Sequence, residues 1–155
     1  MGHAVTLFAG PVRPLRAIQA VAGMARILSL PPGAPILVLP LDDEVHDALH
    51  RRYGTGEWPD TGASLTSTDR AFCARVSAGS ALAYLATDYF GGAGEQSAML
   101  WQNGMSTLGP SRLDTAKARG RPPNLWPINA ALRGLGIEAR SGEDEFQSFG
   151  LERFR

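Results

Sequence analysis

Three sets of side chains in this sequence have types and spacings that point to chemistry. The first is His46-Asp47-Ala48-Leu49-His50. On a helix, positions i and i+4 share a face, so both imidazoles point the same way, as they do where two histidines bind zinc. Asp47 stands where zinc metallopeptidases place a glutamate base. It is one methylene shorter, and no third ligand is identifiable; the only other histidine is His3. A solvated helix face with Asp42 and His46 as an i,i+4 pair accounts for the same letters. We therefore assign no metal ligand here and expect no cofactor.

The second set is Gly91-Gly92-Ala93-Gly94-Glu95-Gln96. Glycines can turn successive N–H groups toward an anion. A phosphate fingerprint needs a third glycine or a Gly-Lys pair before a helix. Gln96 stands in that place and strand-like residues follow, so a hairpin bend is preferred. Glu95, with Asp88 on the facing strand, makes a candidate carboxylate pair for acid–base work. The simpler alternative has Glu95 bonded to loop amides and Gln96 capping the sheet.

The third set is aromatic. Tyr84, Tyr89, Phe90 and Trp101 lie on the two arms of that hairpin. Strand alternation puts Tyr84 and Phe90 on one side and Tyr89 on the other. One side is core; the other would expose Tyr89 or Trp101, residue types enriched at interface hot spots. Trp58 and Trp126 extend such a surface.

The elements that must position these residues read as follows. Ala4–Ala9 is a strand closed by Gly10-Pro11. Arg13 to about Leu28 has helical apolar spacing, with Pro14 in a first-turn position. Ile36–Leu39 is a short apolar run suited to a buried central strand. Asp42 caps a second helix that Gly54 closes, with acids in its first turn and Arg51 and Arg52 in its last. Thr55–Thr68 reads as a long surface loop. Arg70–Val76 and Ala81–Phe90 read as strands, then Gly91–Gly94 as a turn and Gln96–Gln102 as a strand. Asn103-Gly104 is a strong two-residue hairpin signal, and Met105–Leu108 is the return strand. Gly109–Asn124 reads as loop or ragged helix and Pro127–Leu135 as a helix. Ile137–Ala139 reads as an edge strand, with a helical turn around Asp144–Phe149. The fold class is α+β: one domain over 1–155, a mainly antiparallel sheet around a central hairpin, with two or three helices packed on it.

Composition narrows the function classes. A chain of 155 residues fits one domain and can bury a core without staples. Fifteen basic and fifteen acidic side chains balance, which argues against a nucleic-acid partner. The signs are segregated: Arg112, Lys117, Arg119 and Arg121 cluster, and Glu143, Asp144 and Glu145 form an acidic run suited to docking a basic surface. The single Cys73 sits in an apolar run and reads as a small buried hydrophobe. With no secretory pattern and no span of about 20 apolar residues, the expected compartment is the cytoplasm, with no membrane partner.

The stretch Tyr84–Trp101, together with Pro127–Gly136 and Asp144-Glu145-Phe146, resembles small bacterial proteins, some of them similar to the immunity proteins of polymorphic-toxin systems. The resemblance covers about a third of the chain and carries over no functional residue. It implies a cytoplasmic, non-enzymatic module that neutralises a toxin by binding it. The residues offered for that contact are Asp88, Tyr89, Glu95, Gln96, Trp101, Glu143, Asp144 and Glu145. Two alternatives stand beside it. One is a small hydrolase-like enzyme using the carboxylate pair or the histidines; the other is an assembly subunit pairing through a sheet edge.

Overall fold

Leu82 and Tyr84 point to one face of a strand, Ala83 and Leu85 to the other, and all four are buried. The facing strand repeats this, with Met99 and Trp101 on one face and Ala98 and Leu100 on the other, also buried. A sheet apolar on both faces needs a cover on each. The computed structural model describes residues 3–30, 35–58, 65–90, 93–115, 122 and 125–151, without the side chains of His3, Tyr89, Phe90 and Ala93. In chain order its elements are β1 (His3–Gly10), α1 (Val12–Val21), β2 (Leu37–Pro40), α2 (Asp43–Tyr53) and α3 (Ser67–Val76). Then come β3 (Ala81–Phe90), β4 (Ala93–Gln102), β5 (Met105–Asp114), α4 (Pro127–Gly134) and α5 (Glu145–Phe149). The five strands form one antiparallel sheet in the order β2-β1-β3-β4-β5. This is the expected α+β class, with the hairpin β3–β4 at its centre and, among the described residues, five short helices rather than two or three.

The helices divide between the two faces. Leu15 and Ile18 of α1, Val45 and Leu49 of α2, and Phe72 and Cys73 of α3 pack on Phe8, Tyr84, Met99 and Trp101. Ile128, Ala131 and Leu132 of α4 and Phe149 of α5 pack on Leu7, Leu85, Ala98 and Leu100. Each large apolar side chain so buried contributes about 1.5–3 kcal/mol relative to an exposed one.

Several expectations change. Arg70–Val76 is helical, because Thr66 and Asp69 form a reciprocal capping box that starts a helix at Ser67. That helix also takes the end of the expected Thr55–Thr68 loop, of which 59–64 lie outside the described residues. The first helix stops at Val21. Leu28 instead exchanges two backbone hydrogen bonds with Val38, of 2.8 and 2.9 Å, so its helical spacing serves an extended segment. The Ile36–Leu39 run falls on edge strand β2; it reads as central because Val38 and Leu39 are buried on opposite faces. The return strand continues to Asp114, held by the pairs Ser97–Arg112 and Gln96–Leu113. Ile137 lies in no strand; its N–H bonds Leu132 O at 3.0 Å and closes α4. Asn103 and Gly104 form the expected turn, with φ of 50° and 82°.

Gln96 acts on a helix rather than on a partner. Helix α4 has Trp126 at its N-cap with no side-chain cap, and Pro127 at N1 has no N–H to satisfy. The next donor, Ile128 N–H, bonds the Gln96 Oε1 of the sheet at 2.9 Å. Gln96 is 5% exposed. Replacing it by leucine would bury Ile128 N–H unpaired, at a cost of about 1–3 kcal/mol. In urea unfolding, Gln96→Leu should lower the midpoint at unchanged slope, and Gln96→Glu, which keeps an acceptor, should lose less. Equal midpoints for wild type and Gln96→Leu would refute the tie.

Candidate functional site

Two places gather polar side chains. The first lies on the sheet face that carries α1–α3, at the end those helices leave open. Cross-strand partners share a face, and the register sets Asp88 beside Glu95 and Glu95 beside Asp114. Three carboxylates therefore stand in one row across β3, β4 and β5. The next row inward is Thr6, Ala86, Ser97 and Arg112. Asp88, Glu95 and the second row line much of a recess of about 340 Å³. A second recess of about 500 Å³ shares Ala4, Val5 and Thr6 with it and reaches Arg26 and Asp42. Residues of β1, β3, β4 and β5 line the first, while the second is lined by β1 and Pro40 of β2 together with Arg26, Leu28, Leu41 and Asp42.

Like charges on directly opposed strand positions are unfavourable. Arg112 relieves part of this: its guanidinium pairs with Glu95, with Nε 3.1 Å from Oε2. The hydrogen bond to Glu95, then the charges of Glu95 and Asp114, hold the Arg112 pKa above its ordinary value. The pair is close to half-exposed, so it adds little to stability. Asp88 is exposed and has no ion pair or hydrogen bond among the described residues. Sequence reasoning found Asp88 and Glu95 and placed them on facing strands. It missed Asp114 and the pairing role of Arg112, because both fell in a segment read as loop. Lys117, Arg119 and Arg121 of the basic cluster lie outside the described residues, as does the Tyr89 side chain.

The rest of the expected binding set lies elsewhere. Trp101 is 3% exposed, packed in the core beneath α1–α3, so it cannot form part of an aromatic contact surface. Its face is the covered one because β4 presents Trp101 and Met99 together to the helices. The acidic run is engaged within the chain. Asp144 caps α5 by accepting from Gln147 N, with Gln147 returning a bond to the Asp144 N–H. Glu145 is buried against Arg133 at 3.0 Å. Glu143 pairs with Arg140 and accepts from Ser148 Oγ at 3.0 Å. The run thus starts and anchors a helix rather than forming a free patch. The Asp-x-x-Gln spacing of 144 and 147 is the signal that reveals it.

The second place lies between α2 and α3. Asp42 caps α2 through Val45 N at 2.9 Å, so His46 and His50 fall one and two turns in, on the face toward α3. Their ring centroids are 5.6 Å apart. Asp69 of α3 reaches them. His50 Nε2 lies 3.0 and 3.1 Å from its two oxygens, and His46 Nδ1 lies 4.0 Å from Oδ2. Asp69 Oδ2 also accepts from Thr66 N at 2.9 Å, which fixes the carboxylate. Trp58 stands edge-on to His50, with centroids 6.2 Å apart. The pair at 46 and 50 was read from spacing. Asp69 falls between the expected loop Thr55–Thr68 and the expected strand Arg70–Val76 and so is missed, although Thr66-x-x-Asp69 carries the capping-box spacing. Cys73, one turn beyond Asp69, is buried; burial, then the Asp69 charge, pushes its thiol well up, which suits the inert role expected of it.

No family model matches the chain, and no curated protein or solved structure matches it significantly.

Burial lowers the His46 pKa from its ordinary 6.5; His50 adds to the lowering, while Asp69, Asp43 and Asp47 act against it. The unfolded chain therefore binds the proton first as pH falls. The stabilisation is fully present above pH 6.5 and is lost as pH falls through the lower folded value. Denaturation in a chelating buffer should show stability declining below pH 6.5, and His46→Gln should remove part of that decline. An identical pH profile in the variant would refute the assignment.

Proposed function

We propose that this chain is a non-enzymatic protein-binding module of immunity type, neutralising a bacterial toxin by docking on it. The observation that carries the reading is the carboxylate row Asp88–Glu95–Asp114 at the open end of the sheet, with Asp88 left unpaired beside Glu95. Placing like charges opposite one another costs stability in the free protein. A cationic side chain arriving from a partner would relieve that cost, so the arrangement favours the bound state. The strand residues that line the first recess support the reading further, since a surface held by antiparallel ladders needs little ordering on association. A basic partner surface complements the row, and Arg112 offers one positive contact for orientation. The resemblance of Tyr84–Trp101 and Pro127–Gly136 to immunity-type bacterial proteins points the same way. No helix among the described residues is long and apolar enough to cross a membrane.

Asp88→Lys reverses the charge at an exposed position and removes the like-charge repulsion, so it should raise the thermal midpoint slightly or leave it in place. Where a toxin-like protein is encoded beside it, the co-expressed wild-type chain should restore growth and co-purify with that protein. The variant should bind it at least about tenfold more weakly, a difference of about 1.4 kcal/mol, with less dependence on salt. Unaltered affinity in Asp88→Lys would overturn the assignment of the surface, and absence of any protection by the wild type would overturn the immunity reading.

A further inference from the structure

The side chains between α2 and α3 make a set that the binding reading does not use. We propose that His46, His50 and Asp69 form a mononuclear site for a divalent first-row transition metal of the zinc class.

Three observations carry it. The donor atoms converge: the two imidazole nitrogens and a carboxylate oxygen all lie within 4.8 Å of one another. Metal–ligand bonds of about 2.0–2.2 Å in a tetrahedral arrangement hold their ligand atoms about 3.4 Å apart. The measured separations of 3.0 Å (His50 to Asp69) and 4.0 Å (His46 to Asp69) fall on either side of that value. Small rotations of the side chains bring all three into coordination.

The second observation is His46 Nδ1. It is buried and has no hydrogen-bond partner. A buried nitrogen without a partner is unfavourable, and this one lies 4.0 Å from Asp69 Oδ2. An ion between them supplies the missing contact.

The third is the support behind the ligands. Asp69 is 3% exposed and receives the Thr66 N–H, so the carboxylate that would carry the negative charge is oriented independently of the histidines. His50 Nε2 lies 3.0 and 3.1 Å from the Asp69 oxygens; for Nε2 to take the ion, the neutral ring carries its proton on Nδ1. Two imidazoles and one carboxylate suit zinc and its neighbours better than calcium or magnesium, which take oxygen ligands. Three protein ligands leave a coordination position for water.

The test uses tag-free, chelator-stripped full-length chain titrated with zinc, and separately with cobalt(II) as a spectroscopic probe. One equivalent of zinc should bind with a Kd of micromolar or lower and raise the thermal midpoint. Cobalt should give visible d–d bands of a four- or five-coordinate site. His46→Ala removes a nitrogen that makes no hydrogen bond, so the metal-free variant should unfold at or near the wild-type temperature. It should bind zinc at least about tenfold more weakly and lose the cobalt bands. His50→Ala should lose them too. A wild-type chain that takes up no stoichiometric zinc, or a His46→Ala variant with unchanged affinity and spectrum, would overturn the proposal. Toxin binding in the previous test does not depend on these ligands, so each reading can fail alone.

Discussion

The structure depends on a hairpin that is apolar on both faces. Tyr84 and Met99 point one way and Leu85 and Ala98 the other, and all four are buried. Two helical layers follow from that constraint, one of α1–α3 and one of α4–α5. The α1–α3 layer stops short of the end of the sheet, and polar residues begin where it stops. Thr6, Asp88, Glu95, Ser97 and Arg112 occupy positions that a longer helix would have covered. The open recess is thus a consequence of helix length against strand length, not of a separate loop or insertion.

The layers are also tied by polar bonds at their ends. Gln96 holds the start of α4 to the sheet. Asn129 joins α4 to α5, its Oδ1 accepting from Phe146 N at 2.9 Å. Asp69 joins α3 to α2 through His50. The turn Asn103-Gly104 is docked in the same way, with Gly104 N on Ser77 Oγ and Gly79 N on Asn103 Oδ1, each at 3.0 Å. Each bond is short in space and long in sequence.

That difference decides what could be read in advance. Local signals were legible. Asn103-Gly104, the Asp42 cap, Gly54 and the apolar run of β3 each act through neighbouring residues, and each element is where it was expected. Arg70–Val76 misled because Ala71-Phe72-Cys73-Ala74 has no clear period, while the deciding signal, Thr66 and Asp69, lies at the edge of the segment. Trp101 and Glu145 misled for a different reason. Tryptophan suits a core and an interface equally, and a glutamate beside two other acids gives no sign that Arg133 will bury it. The carboxylate pair was half legible: adjacent strands put Asp88 and Glu95 together, but the third member required the true length of β5.

The division of the two helical layers has a temporal side. Everything that covers the Phe8–Tyr84 face precedes β3 in the chain, so that face can close as soon as the hairpin exists. The Leu85–Leu100 face is covered by α4, α5 and Leu151, at the carboxyl end of the described residues. A chain growing from its amino terminus therefore completes one side of its sheet while the other still shows Ala83, Leu85, Ala98 and Leu100 to its surroundings. Among the described residues, Ile128–Leu151 act as a closing cover. Anything that delays or shortens them leaves a folded half-sandwich with an adhesive face, which is the form in which this fold is most exposed to aggregation.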